Sequence, residues 1–208
     1  MTAFALVHGA WEGAWIWERL TPELEARGHR VVAMDLPCED GTATFEAYAE
    51  VVVRAVEAEA LEEVVVVGHS LAGLTIPLVA ARRAVSRLIY LCALVPIPGR
   101  SLVEQLGIEP DTLRPGYEAG LSEPDAQSRT RWVDEGLARD VVYADCDEGE
   151  ARAASSRARV CMQPEGCTKA MRSIGAITDI TCTRRPAVPA PFPGPLLLRC
   201  PAQEARGV

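Results

Sequence analysis

The chain has 208 residues, 49% hydrophobic and 24% charged, which is the composition of one ordinary globular domain with a sizeable core. Its net charge of −8 argues against a nucleic-acid partner, and no apolar run approaches the length of a membrane span. Met1 to Trp17 has no basic stretch ahead of its apolar residues and so does not read as a signal peptide. The seven cysteines are scattered without a C-x-x-C pair, as expected for reduced thiols of a cytoplasmic protein rather than for a disulfide framework or a metal site.

In chain order, Phe4 to Val7 is a short apolar run that predicts a first strand entering the loop His8-Gly9-Ala10-Trp11. Glu18 to Arg27 has helical spacing, with Leu20 and Leu24 on one face, Pro22 in the first turn and Gly28 at the end. Arg30 to Leu36 predicts a second strand closed by Pro37, and Phe45 to Leu61 a long helix with Thr44 as N-cap. Val64 to Val67 is a β-branched run of the kind buried on both faces inside parallel sheets. It leads into Gly68-His69-Ser70-Leu71-Ala72, followed by an apolar helical segment, Leu74 to Ala84. Val85 to Leu94 predicts a fourth strand. Strands alternating with helices imply a parallel α/β sheet.

From Pro96 the texture changes, because prolines and glycines break up short segments, with Trp132 to Leu137 and Glu148 to Val160 helical. A helical insertion of this kind, about residues 97–160, lying over the carboxyl edge of the sheet, would be a lid on a core of residues 1–160. Residues 161–208 differ again: they hold 7 of the 15 prolines, and their charge is +3 against −11 for the rest. In this Pro/Arg-rich tail only Leu196 to Cys200 is expected to form a strand, since the stretch Arg185 to Pro195 is too rich in proline for a helix or a central strand.

Strand, tight Gly-x-Ser-x-small turn and helix together form the context of a nucleophile elbow, which would present the Ser70 hydroxyl at the carboxyl edge of the sheet. Gly68 and Ala72 are small enough to let strand and helix approach. A serine hydroxyl needs a base and an oxyanion hole. The backbone N–H of Leu71 and that of Ala10 are the oxyanion-hole candidates, with Gly9 allowing the loop to come close. Gly9, Trp11 and His69 are the candidate substrate-binding residues. Trp11, Trp15 and Trp17 are read either as walls of an apolar pocket or as core packing.

Leu6 to Trp17, Leu24 to Pro37 and Val67 to Gly73, as they stand here, resemble the α/β-hydrolase superfamily, in the branch of small-ester hydrolases and hydroxynitrile lyases. The resemblance covers about residues 3–160, and Asp145-Cys146 after Val141-Val142-Tyr143 is similar to a lid segment of bacterial members. The lyases usually carry a threonine where this chain has Gly9, together with a lysine near the C-terminus; neither is matched, so the resemblance implies an esterase. It also implies a triad in the order Ser, Asp, His. The three histidines are His8, His29 and His69, and none follows Ser70. Glu204 is a candidate acid and His8 a candidate base; His69 is expected to point away from Ser70, and His29 to cap a helix end.

The last strands and helix of the fold are accordingly expected to be missing or degenerate, through truncation, a frame shift or true loss of catalysis, with a partner chain as a further source of histidine. The reading is a serine hydrolase for a small carboxylic ester, impaired by the lack of a later histidine, or alternatively a non-catalytic protein that binds a small apolar ligand. Neither calls for a cofactor or metal, and an uncovered sheet would favour self-association.

Overall fold

The computed structural model describes residues 1–113 and 116–162 and the strand at 180–183. Five parallel strands form one sheet: β1 (Ala3–Val7), β2 (Arg30–Met34), β3 (Val64–His69), β4 (Arg87–Leu91) and β7 (Ile180–Thr183), in the spatial order β2-β1-β3-β4-β7. From β1 the chain first steps outward to β2, then returns to add β3 on the other side of β1. That reversal leaves a crevice between the carboxyl ends of β1 and β3, where open α/β sheets bind ligands. The β1–β3 register pairs Val7 with Gly68, which sets the two following loops side by side.

Alternation along the strands sends side chains to two faces. Ala5, Val7, Val64 and Val66 join a large core with α2 (Phe45–Ala58) and α3 (Ile76–Ala80). The buried residues Phe45, Tyr48, Ala49, Val52, Val53 and Val56 recur at the i, i+3, i+4 spacing that makes one apolar stripe. On the opposite face Leu6, Val65 and Val67 pack with Trp17, and Leu24 of α1 (Leu20–Glu25) leans on them. The four valines of β3 are therefore covered on both faces, as their run predicts. Among the described residues no helix is long and apolar enough to cross a membrane.

Between β4 and β7 lies the helical insertion: α4 (Leu102–Ile108), α5 (Glu135–Val141) and α6 (Glu148–Ser156), with a small antiparallel pair of β5 (Arg129–Thr130) and β6 (Cys161–Met162). It is fastened to the loops that leave β1 and β2. Arg159 N–H donates to the Trp11 carbonyl at 2.8 Å, its Nε reaches Glu39, and Arg129 bonds the Glu39 carbonyl. Those loops stand at the carboxyl edge, so the insertion is a lid on that edge.

Element ends move in from their predicted limits. The helix after Ser70 opens as a 3-10 turn over Ser70–Leu74 before α3, the helix predicted from Trp132 begins only at Glu135, and the helix from Glu148 stops at Ser156. Asp134 and Asp147 supply the N-caps of α5 and α6, which fixes where they start. The expectation that only Leu196 to Cys200 could form a strand in the tail is corrected. Ile180–Thr183 forms the fifth strand, pairing with β4, because Ile180, Thr181 and Thr183 are β-branched and suit a pleated surface. Leu196 to Cys200, Glu204 and the expected loss of the last helix lie outside the described residues. His29 meets the end of α1 through its backbone N–H, which donates to the Leu24 carbonyl at 3.1 Å, while its ring accepts the Thr2 N–H and packs edge-on against Phe4.

Thr44 caps α2 as predicted, its Oγ1 accepting from Ala47 N–H at 3.3 Å. Thr44→Ala should lower the unfolding free energy by about 1 kcal/mol in urea denaturation, with the sheet otherwise unchanged.

Candidate active site

Ser70 follows β3 directly and holds φ at +53°, a left-handed conformation that a non-glycine residue keeps only when its surroundings enforce it. Three contacts enforce it. The Ser70 carbonyl accepts Leu94 N–H at 3.0 Å, tying the turn to the end of β4. A Cβ on Gly68 would stand 2.8 Å from Ile76, and one on Gly73 would stand 2.0 Å from the Leu94 carbonyl oxygen. Strand, turn and helix thus meet at contact distance, and the tightest point is Gly73 rather than Ala72, which is merely buried.

The loop after β1 lies against this turn. A Cβ on Gly9 would meet Ser70 Cβ at 2.7 Å and the His69 carbonyl at 3.1 Å, so the Gly9 backbone sits beside Ser70 because it has no side chain. Trp11 is also left-handed, at φ +59°. Its indole Nε1 donates to Thr130 Oγ1 at 3.1 Å and its ring packs on Trp132, so the lid holds the loop in that shape. The Ala10 N–H donates to no group among the described residues, and Leu71 N–H opens the first turn after Ser70, where a helix-like segment has no internal acceptor. A tight cleft with no room for a water molecule lies between Gly9, Leu71, Thr75, Cys38 and Cys161.

His8 is fully buried and both ring nitrogens are occupied. Nδ1–H donates to the Gly9 carbonyl at 2.8 Å, and Nε2 accepts Leu36 N–H at 2.9 Å. Burial pulls its pKa below the usual imidazole value, with the Gly9 carbonyl opposing. In this arrangement the ring ties the segment leaving β2 to the loop after β1, and both of its nitrogens face backbone groups rather than Ser70.

His69 turns to Glu12, its Nδ1–H meeting Glu12 Oε2 at 2.9 Å, and its ring stands edge-on to Trp17. The same carboxylate oxygen accepts Gly9 N–H at 2.8 Å. Burial alone would raise the pKa of Glu12, but the charge of His69 and the two hydrogen bonds outweigh it and hold the carboxyl below its usual range. Burial alone would lower that of His69, and Glu12 outweighs it in turn, so the imidazole is raised. Glu12 is a site residue that the sequence reading passes over. Its signal is only that it stands four residues past His8, which becomes meaningful once the β1–β3 register is known.

The three tryptophans divide. Trp11 joins loop to lid, Trp17 is buried in the core of the far face, and Trp15 lies under the Arg157 guanidinium at 5.0 Å. Trp17 is thus core packing rather than pocket wall. Asp147 is spent capping α6.

Two outcomes follow from this geometry. Gly73→Ala should cost about 3 kcal/mol in chemical denaturation because its Cβ meets fixed backbone, whereas Gly28→Ala, with nothing within 4 Å, should cost only about 1 kcal/mol for its positive φ. The raised His69 contributes stability below its unfolded value of 6.5 and loses it as pH rises through the folded pKa. The lowered Glu12 contributes above 4.5 and loses its share as pH falls through its own folded pKa. The gap in melting temperature between wild type and Glu12→Gln should therefore be widest between pH 4.5 and 6.5 and shrink on either side.

Comparison with known proteins places this geometry. A carbendazim-hydrolysing esterase of Nocardioides sp. (strain SG-4G) is 37% identical over 131 residues, 57% of this chain and 52% of that protein. Polyneuridine aldehyde esterase of Rauvolfia serpentina is 36% identical over 109 residues, 48% of this chain and 41% of that protein. The chain spans about half the length, or less, of these curated relatives. The crystal structure of polyneuridine aldehyde esterase superposes with a TM-score of 0.67 at 25% identity, covering 82% of this chain and 74% of that one. An extracellular α/β-hydrolase from a Paenibacillus species superposes at 0.63 and 20% identity, covering 83% and 72%, and shares the fold. The alpha/beta hydrolase family matches residues 4–205, nearly the full chain and well past the span of about 3–160 that the motifs suggest, and the chain belongs to that family.

Proposed function

We propose that the protein is a serine hydrolase of small carboxylic esters, with Ser70 as nucleophile and the backbone N–H groups of Ala10 and Leu71 as its oxyanion hole. The observation that carries this reading is the left-handed Ser70 at the carboxyl end of β3, pressed against a loop whose Ala10 N–H has no acceptor among the described residues. Attack by Ser70 Oγ on the ester carbonyl would form a tetrahedral intermediate, and two backbone dipoles aimed at its oxygen stabilise the charge as it develops. Collapse would expel the alcohol and leave an acyl-serine for water to hydrolyse. The relatives named esterases support the same class of chemistry.

Proton transfer is the step the described residues serve least. His8 is spent on backbone, His69 on Glu12, and no imidazole is hydrogen-bonded to Ser70 Oγ among the described residues. Without a base, a serine triad loses several orders of magnitude in rate while binding and the oxyanion hole persist. Both acylation of Ser70 and turnover by the 208-residue chain are therefore expected to be slow.

A fluorophosphonate probe should label the wild-type chain slowly and leave Ser70→Ala unlabelled. A cooperatively melting wild-type chain that takes no label would overturn the reading of this chain as a serine hydrolase. Retained binding of short esters in that case would mark a protein that holds its ligand without turnover.

A further inference from the structure

Glu12 is buried, with 8% of its surface exposed, and its Oε2 is shared between two segments far apart in sequence. It accepts Gly9 N–H from the loop after β1 and His69 Nδ1–H from the end of β3. A buried carboxylate is costly unless it is paired and hydrogen-bonded, and here the groups that satisfy it are the two sides of the candidate oxyanion site. A Cβ on Gly9 would lie 3.0 Å from Glu12 Oε2 and 2.7 Å from Ser70 Cβ, so the carboxylate and the serine flank one α-carbon. We infer that Glu12 is a positioning residue that brackets the loop after β1 against the turn carrying Ser70, and that His69 serves as its counter-charge. The inference rests on the reading of Ser70 and Ala10 given above.

Two consequences follow. The bracket consumes the Gly9 N–H, which leaves the Ala10 N–H as the loop's donor to a developing oxyanion. It also sets a negative charge close to where that oxyanion forms, and the His69 imidazolium neutralises it. Once His69 loses its proton, the pair carries a net negative charge and opposes the oxyanion. Among the described residues, the other titratable groups facing the carboxylate are the ring of His8 and the phenol of Tyr143, whose own pKa burial and Glu12 push up to about 12. Trp17 closes the other side of His69.

The test compares wild type, E12A and E12Q in the full 208-residue chain. It reads the rate of fluorophosphonate labelling of Ser70 across pH, the His69 titration by NMR, and amide hydrogen exchange at Gly9. E12A should slow labelling about tenfold or more, less than loss of a whole oxyanion donor, and should speed exchange at Gly9. E12Q keeps an oxygen for Gly9 N–H, so that amide should stay protected and its labelling should recover most of the loss. In E12Q the His69 pKa should fall, and the ratio of E12Q to wild-type labelling should rise as pH crosses the wild-type His69 titration. Wild-type labelling in E12A overturns the inference, and so does wild-type exchange at Gly9. If E12A does not fold, the E12Q ratio decides, and a ratio flat in pH overturns it. If wild type itself takes no label, the reading of Ser70 fails separately, and the bracket stands or falls on the exchange at Gly9.

Discussion

The pairing of β1 with β3 is the constraint on which the site depends. Its register sets Val7 opposite Gly68, so the next residues of each strand, His8 and His69, then Gly9 and Ser70, leave the sheet together. A slip of one residue would flip every side chain to the other face. Such a slip would bury Ser70's neighbours wrongly and separate Gly9 from the serine. The register is held because both strands are buried on two faces, with Ala5, Val7, Val64 and Val66 committed to one core and Leu6, Val65 and Val67 to the other. Packing of ordinary apolar side chains therefore fixes how two polar loops stand relative to each other.

Around that pairing the molecule is arranged to keep strained backbone in place. Ser70 and Trp11 are both left-handed, and neither is a glycine. Each is held by a neighbour outside its own segment: Ser70 by Leu94 and the bare α-carbon of Gly73, Trp11 by Thr130 and Arg159 of the lid. The two histidines of the site contribute in the same way. His8 bonds two backbone groups and braces the edge strand, while His69 balances the charge of a buried glutamate. Imidazole here stabilises structure by bonding two backbone groups in one place and by meeting a buried carboxylate in the other, and the carboxylate at Nδ1 is what raises the pKa of His69.

The lid has a second role besides covering the crevice. Its anchors fall on the loops that leave β1 and β2, through Arg129 and Arg159 to Glu39 and through Trp132 and Thr130 to Trp11. Movement of the lid is therefore coupled to the conformation of the loop that carries Ala10. Exposed ion pairs such as Arg157 with Glu18 add little stability individually, so the junction between lid and core is set by the indole contacts and the backbone bonds.

The sequence by itself determined the strand alternation, the buried β3, the N-cap at Thr44 and the Gly-x-Ser turn, because each is a local property. Periodicity, β-branching and capping chemistry act over a few residues and are legible there. The fifth strand at Ile180–Thr183 was harder to read, since four residues in a proline-rich stretch carry little periodicity of their own and gain their order from β4. Only the tertiary structure decided the roles of His8, His69 and Glu12. A histidine's function depends on what meets its two nitrogens, and those partners, Leu36 for one and Glu12 for the other, lie 28 and 57 residues away. Glu12 reads as one acidic residue in a tryptophan-rich loop until the β1–β3 register brings it beneath Gly9 and beside His69, and burial then turns an ordinary carboxylate into the group that holds the two loops together.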